Sequence, residues 1–282
     1  MNKESNNIFK AVSTYIVDED YDGVRLDNCL FNKLKGVPKS RVYSMIRKGE
    51  VRINGSRSKP EFRLKVGQKI RIPPYNIKPL KPYKPDNSVL KMVKEKIIYD
   101  KDNILVIDKP EGLASHGGSG LKLGLIEAVR QIDKRFQNAQ LVHRLDKDTS
   151  GCIVLTLKKS ILRSLNEEIR EGKVEKKYLA VVFGRWPNEK KIINLKLKKN
   201  ILSSGERKVN VSEEGKDSTT KFKILKTNEN LTLLECELIT GRMHQIRVQV
   251  NNEGFPIVGD LKYGTRKIND VYKEKGVTRM LL

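Results

Sequence analysis

The residues His143-Arg144-Leu145-Asp146-Lys147-Asp148-Thr149-Ser150-Gly151 hold a carboxylate in a setting suited to chemistry. Asp146 follows an arginine by two positions and precedes a Thr-Ser-Gly turn. The apolar run Ile153-Val154-Leu155-Thr156-Leu157 comes at once after it. That run has the make-up of a buried strand. The spacing therefore puts Asp146 on a tight loop at the mouth of a sheet, fixed by neighbouring hydroxyls and backbone amides. A carboxylate held in this way can serve as a nucleophile or a base. The same pattern also suits an Asx or Ser/Thr turn that only joins two elements, and spacing alone leaves both readings open.

Other chemistries fit less well. His143, Asp146 and Ser150 are the residue types of a hydrolytic triad, but they crowd onto one turn, whereas triads draw their members from separate elements. No Gly-x-Ser-x-Gly elbow is present. Gly117-Gly118-Ser119-Gly120 lacks the Gly-Lys-Ser/Thr ending of a phosphate-binding loop. His116, His143 and His244 have no metal-ligand spacing, so each reads as a hydrogen-bonding loop residue and no metal is expected. Cys29, Cys152 and Cys236 are odd in number, far apart and outside any Cys-x-x-Cys pattern, which points to a reducing compartment.

The charge balance points to a partner. The chain carries 57 basic and 34 acidic side chains, a net of +23. Residues 25–72 hold 14 basic and 3 acidic side chains, so the excess is concentrated rather than spread. Such a surplus calls for a polyanion, and nucleic acid is the first expectation. No run of 18 apolar residues exists, so no membrane span is expected. The N-terminus has Glu4 and no apolar core, unlike a secretory signal. A cytoplasmic protein is expected.

The elements that must position these residues follow from periodicity. After a polar lead-in to about residue 19, with one short strand candidate, Leu26, Cys29, Leu30 and Leu34 have helical spacing, and Gly36 ends that helix. Pro38 and Ser40 can open a second helix that turns Val42, Met45 and Ile46 inward and Lys39, Arg41, Arg47 and Lys48 outward, with Gly49 as its C-terminal cap. Val51-Arg52-Ile53 and Lys69-Ile70-Arg71-Ile72 read as short strands, with Asn54-Gly55 as a tight turn. Two helices on a small basic sheet make a compact RNA-binding unit, expected over 20–75; a solvated basic surface is the plainer alternative. Pro73, Pro74, Pro79, Pro82 and Pro85 then predict a semi-rigid linker over 76–94. From 95 to 282 the text is strand-rich. Strands are expected at 104–107, 153–157, 178–183, 222–225 and 231–236, and helices at 121–134, 159–171 and 242–252, the last presenting Met243, Ile246 and Val250 on one face. The long returns between strands suggest an α+β fold with a mixed, largely antiparallel central sheet.

The motif His143-Arg144-Leu145-Asp146-x-x-Thr149-Ser150-Gly151 resembles the active-site motif of the RNA pseudouridine synthases that modify large-subunit ribosomal RNA. The resemblance runs from about residue 20 to 280, and the basic N-terminal unit is similar to the S4-like RNA-binding domain of many such enzymes. It implies isomerisation of uridine to pseudouridine in 23S ribosomal RNA by a monomer with no cofactor, neither metal nor nucleotide. Asp146 would be the catalytic aspartate, attacking ribose C1′ or uracil C6 or stabilising charge on the sugar. The segment Gly241-Arg242-Met243-His244-Gln245-Ile246-Arg247-Val248 resembles the family stretch whose arginine pairs with that aspartate, which implies this role for Arg247. A structural salt bridge between Arg247 and another acid is the alternative. In Lys176-Lys177-Tyr178-Leu179-Ala180, Tyr178 resembles the family's active-site tyrosine, able to stack on a uracil or move a proton. Arg144 matches a position that enters the RNA where the target base has left the stack, since a stacked uridine hides its glycosidic bond. Family members usually run on beyond Arg279-Met280-Leu281-Leu282, so the catalytic domain is expected to be truncated at its C-terminal end. That shortening keeps a different class in view: a non-catalytic RNA-binding assembly factor.

Overall fold

The structure, a computed structural model, describes residues 8–77, 85–117, 123–189, 191–201 and 206–282. The chain divides into two compact units, Met1–Lys84 and Pro85–Leu282.

The first unit contains β1 (Ile8–Lys10), β2 (Ser13–Ile16), α1 (Leu26–Lys33), α2 (Lys39–Arg47), β3 (Arg52–Ile53), β4 (Lys69–Ile72) and β5 (Tyr75–Ile77). A three-stranded sheet has the order β2-β4-β3, and β1 pairs with β5. The helical spacing does what it predicts: Leu26, Cys29, Leu30 and Leu34 meet Val42, Met45 and Ile46 in one core, with Ile53, Leu64 and Ile70 from the sheet side. Each such buried side chain contributes about 1.5–3 kcal/mol. Asn54 and Gly55 both have positive φ, 48° and 85°. Ile53 and Ser56 on either side exchange two backbone hydrogen bonds of 2.9 Å, the geometry of a two-residue hairpin turn. Asp27 is buried, and its carboxylate ties α1 together by accepting from Arg25 Nη2 (2.7 Å) and the Asn28 amide (2.8 Å). Lys39, Arg41, Arg47 and Lys48 are exposed on and just after α2, and Arg41 also pairs with Glu50 at 2.9 Å.

The second unit begins with α3 (Asn87–Glu95). This corrects the expected linker over 76–94: residues 87–94 are helical, and 76–77 belong to β5. The physical reason is local. Pro85 is the last proline of the cluster, Asp86 accepts a hydrogen bond from the Ser88 amide at the helix start (3.0 Å), and Val89, Leu90 and Val93 pack into the unit's core. Pro79 and Pro82 lie outside the described residues. The unit continues through β6 (Ile97–Lys101), β7 (Ile104–Lys109), α4 (Leu125–Ile132), β8 (Gln140–Leu141), β9 (Gly151–Thr156), α5 (Lys159–Arg170) and β10 (Lys177–Phe183). Then come β11 (Ile192–Ile201), β12 (Arg207–Val211), β13 (Lys216–Thr227), β14 (Leu231–Leu238), α6 (Gln245–Asn252) and α7 (Arg266–Glu274).

These strands form two sheets of orders β6-β7-β9-β8 and β10-β14-β13-β11-β12. Every pairing is antiparallel. The architecture is α+β. In the first sheet, Leu105, Ile107, Ile153 and Leu155 form one face against Leu125, Ala128 and Val129 of α4. The second sheet packs Ala180, Val182, Phe222, Leu234 and Cys236 on α6 and Trp186. Residues 279–282 run between the sheets. The Val181 amide donates to Leu281 O (3.1 Å), the Leu281 amide to Val258 O (3.0 Å), and the Ser150 amide to Leu282 O (3.2 Å). That passage demands a glycine at 259, where φ is 80° and a Cβ would stand 2.1 Å from Arg279 O.

One helix expectation needs correction. α6 starts at Gln245, so Met243 is not on it. Met243 packs with Leu197, Val209 and Val248, whereas Ile246 and Val250 enter the Trp186–Phe222 core on the other side.

Candidate active site

The loop 143–150 is held by atoms from distant parts of the chain. The buried Ser115 hydroxyl donates to Leu145 O (2.6 Å) and accepts the Leu145 amide (3.0 Å). Thr149 N–H donates to Asp146 O (3.3 Å), closing the turn. His143 Nε2 accepts the Val154 amide (3.1 Å), and burial lowers the pKa of this imidazole, so it serves as a neutral anchor. Arg279 Nη1 donates to Ser150 Oγ (2.7 Å). Lys109, at the end of β7, is fully buried. Its ammonium donates to Pro110 O (2.8 Å), Leu113 O (2.8 Å) and Lys147 O (3.1 Å), the last beside Asp146. Burial pushes its pKa down to about 8, against the pull of Asp148 and Asp146. Lys109→Met is expected to strand three carbonyls. Urea denaturation should read a loss of about 3 kcal/mol or more, since each orphaned buried acceptor costs about 1–3 kcal/mol. Unchanged stability would mean that water replaces the ammonium.

With its backbone fixed, the Asp146 side chain faces a cleft, 28% exposed. The neighbouring hydroxyls expected to hold its carboxylate do not. Among the described residues that carboxylate takes no hydrogen bond, and the basic side chains within 4 Å are His244, with Nε2 at 3.7 Å, and Arg247, with Nη1 at 3.8 Å. Burial pushes its pKa above the ordinary carboxylate range, helped by Asp148 and Asp260. Arg247 and Lys109 pull it down without cancelling that rise.

Arg247 is placed by a polar ladder under α6. Gln245 Nε2 donates to Thr219 O (3.0 Å) and Thr220 Oγ1 (2.8 Å), and its Oε1 accepts the Arg242 amide (2.9 Å). One turn on, Gln249 Oε1 accepts from Thr220 Oγ1 (2.6 Å), and its Nε2 donates to Ser218 O (3.1 Å). These bonds register the buried helix against β13. The fork of Arg247 then closes on Asp260, with Nε and Nη2 each 2.8 Å from a carboxylate oxygen. Arg247 therefore meets two acids: its fork belongs to the wholly buried Asp260, and Nη1 faces the expected partner Asp146 at 3.8 Å. Asp260 wins because it is prepaid with partners, accepting also from the Lys262 (2.9 Å) and Tyr263 (3.1 Å) amides. Burial alone would raise its pKa, but Arg247 and those amides hold it low.

Tyr178 is the second residue of β10, opposite Cys236. It lines the same cleft as Asp146, and burial together with the Asp146 charge pushes its phenol up to about 12. It is thus a neutral hydroxyl at physiological pH. Arg144 is exposed at the cleft wall. The cleft measures about 1430 Å³ and is also lined by Lys176, Lys199, Arg207 and Arg242. A base turned out of a polynucleotide needs such a space, with cations where its phosphates pass. Lys39, Arg41, Arg47 and Lys48 lie in the other unit. Lys109, Asp260 and Tyr263 escape sequence reasoning: one sits before a proline at a strand end, the others in Val258-Gly259-Asp260-Leu261-Lys262-Tyr263-Gly264, which reads as a plain turn.

A basic-lined cleft faced by a partly buried carboxylate, built on two antiparallel sheets, is the setting for base chemistry on a polynucleotide. Residues 103–252 match the RNA pseudouridylate synthase family and residues 24–70 match the S4 domain; the chain belongs to the RNA pseudouridylate synthase family. It is an isomerase of that class. It is 44% identical over 283 residues to ribosomal large subunit pseudouridine synthase C of Pasteurella multocida (strain Pm70), covering 99% of this chain and 86% of that protein. The enzyme of the same name from Escherichia coli (strain K12) is 44% identical over 268 residues, 94% of this chain and 84% of that protein. Among solved structures, Human RNA Pseudouridylate Synthase Domain Containing 1 superposes with a TM-score of 0.56 at 25% identity, over 71% of this chain and 78% of that one. Human RNA Pseudouridylate Synthase Domain Containing 4 gives 0.53 at 27% identity, over 64% and 74%.

Proposed function

We propose that this enzyme converts specific uridines of 23S ribosomal RNA in the large subunit to pseudouridine, with Asp146 as the nucleophile. The observation that carries the reading is the Asp146 carboxylate, partly buried at the cleft wall, without a hydrogen bond among the described residues, and faced by Arg247 and a neutral tyrosine lining the same space. The N1–C1′ bond of the uridine breaks, the uracil turns, C5 bonds to C1′, and the C5 proton leaves as N1 gains one. Atoms and electrons balance within the nucleotide. Asp146 attacks at ribose C1′ or at uracil C6, Tyr178 stacks on or exchanges a proton with the turning base, and Arg144 fills the space it vacates. The shared name of the relatives supports the ribosomal target. A carbodiimide-based pseudouridine map of ribosomal RNA, made with and without the protein, tests it. Sites in the large subunit RNA that depend on the protein are expected; none anywhere would end the proposal.

In this reading the S4 domain adds affinity without chemistry. Arg41, Arg47 and Lys48 changed together to Glu should lower the salt dependence of RNA binding, by roughly 0.7–0.9 in log–log slope per lost phosphate contact. Arg41 already pairs with Glu50, so Arg47 and Lys48 are expected to dominate. An unchanged slope in a filter-binding titration would remove these residues from the interface.

A further inference from the structure

We propose that His244 is a positioning residue for Asp146, held by Tyr263 in the tautomer whose proton sits on Nε2 and aimed through that proton at the Asp146 carboxylate. The inference rests on the pseudouridine synthase reading and adds two residues to it.

Three contacts in line carry it. The Val209 amide donates to Tyr263 Oη at 3.0 Å. Tyr263 Oη lies 2.7 Å from His244 Nδ1. His244 Nε2 lies 3.7 Å from Asp146 Oδ2. The phenol oxygen already accepts from Val209, so its own proton is free to go to Nδ1. Nδ1 then accepts, and the imidazole proton must sit on Nε2. The far end selects the same tautomer, because an Nε2 lone pair would face a carboxylate.

The backbone supports a built device. His244 has φ 54° and ψ 22°, in the left-handed region, immediately before α6. It is one of four non-glycine residues with positive φ among the described residues, and the other three are Asn or Asp in loops. Such conformations cost free energy and gather at functional sites. Burial, with the charges of Arg247 and Lys262, also pushes the pKa of His244 down to about 3, so the ring is neutral when the enzyme works.

The chemical logic follows from how Arg247 is shared. Its fork is committed to Asp260, so Asp146 receives one guanidinium nitrogen at a distance. A charged imidazolium would clamp the carboxylate in an ion pair and lower its basicity. A neutral N–H restricts its direction yet leaves its charge available to a carbon.

Two measurements on the full chain test this. In long-range ¹H–¹⁵N spectra of histidine-labelled protein, with three histidines to resolve, His244 should show a bare Nδ1 and a protonated Nε2. Tyr263→Phe should mix the tautomers. A protonated Nδ1 in the unmutated chain would overturn the proposal whether or not the chain is active. The second measurement is single-turnover rate against RNA affinity. His244→Ala and Tyr263→Phe should each slow turnover on the order of ten- to a hundredfold, the scale seen when partners that orient an imidazole are removed, with RNA affinity kept. In the His244→Ala background, Tyr263→Phe should add nothing, because it acts through the ring. His244→Gln, whose amide reaches the Nε2 position, should recover rate, and His244→Asn should not. A role confined to the left-handed backbone gives the reverse order, since Asn adopts that conformation more readily. That reverse order, multiplying losses in the double variant, or full rate in Tyr263→Phe would each overturn the proposal. An inactive unmutated chain would instead overturn the function on which it rests.

Discussion

Asp146→Asn is expected to abolish pseudouridine formation, by several orders of magnitude in single-turnover rate, while RNA affinity stays close to that of the unmutated chain. Asparagine keeps the size of the side chain, and the turn survives because it is held through backbone atoms and through Ser115 and Lys109. What disappears is the charge. The structure adds a stability readout. Burial holds the pKa of Asp146 above its unfolded value, so the folded state binds the proton more tightly. Stability therefore falls as pH rises through the window between the two values, and at neutral pH the ionised group works against folding. Asp146→Asn should melt no lower than the unmutated enzyme at neutral pH, and the difference should narrow in acid. A structural aspartate would show the opposite: a lowered melting temperature with activity per folded molecule preserved. The raised pKa also places the acid limb of the rate profile above the ordinary carboxylate range, with activity lost as pH falls through it.

Arg247→Lys should be nearly as damaging, on the order of a hundredfold or more in turnover. An ammonium is a single point of charge and cannot serve two acids in different directions. Asp260 will keep it, being fully buried and already turned toward that side by two backbone amides. Asp146 then loses its facing cation, and its pKa rises further. Two results are expected together: a lower plateau rate, and an acid limb displaced to higher pH. RNA affinity should hold, because the side chain is 3% exposed and offers little to a phosphate. Turnover near that of the unmutated enzyme, with an unmoved pH profile, would show that proximity of Arg247 to Asp146 has no catalytic meaning.

Much of the fold was legible because apolar spacing alone sets it. The helices at Leu26 and Lys39 and the strands at Ile104, Gly151 and Tyr178 each bury one face, and one face is what periodicity reports. β11 alternates, with Ile193 and Leu197 facing inward while Asn194, Lys196 and Lys198 face water. Its lysines break the apolar run, so the period is faint in the sequence. α3 directly follows the proline cluster, which masks the helix signal in Asp86 and the Val89–Val93 spacing. α7 buries only Asn269 and Tyr272, too faint a stripe to see. At the site, the motif around Asp146 is legible from its residue types, and the alternative for Arg247, a salt bridge to another acid, is where its fork lies. Asp260 could not be found by spacing. Its role depends on a chain reversal that brings residue 260 beside residue 247 from outside the helix. Lys109 was equally silent, because a lysine satisfied by three carbonyls has no partner side chain to betray it.

The division of the chain has a consequence for how the protein is born. The core of the S4 domain draws on residues from Tyr15 to Tyr75, so it can close while most of the polypeptide is still being made. The surroundings of Asp146 cannot. They require Arg247, then Asp260 and Tyr263, and finally Leu282, whose carbonyl receives the Ser150 amide. At elongation rates of about 5–20 residues per second, the interval between the two events is roughly 10–40 s. During it a nascent chain can carry a finished nucleic-acid grip and an unformed reaction centre. The S4 domain is complete before the reaction centre, an order set by which residues each one draws on.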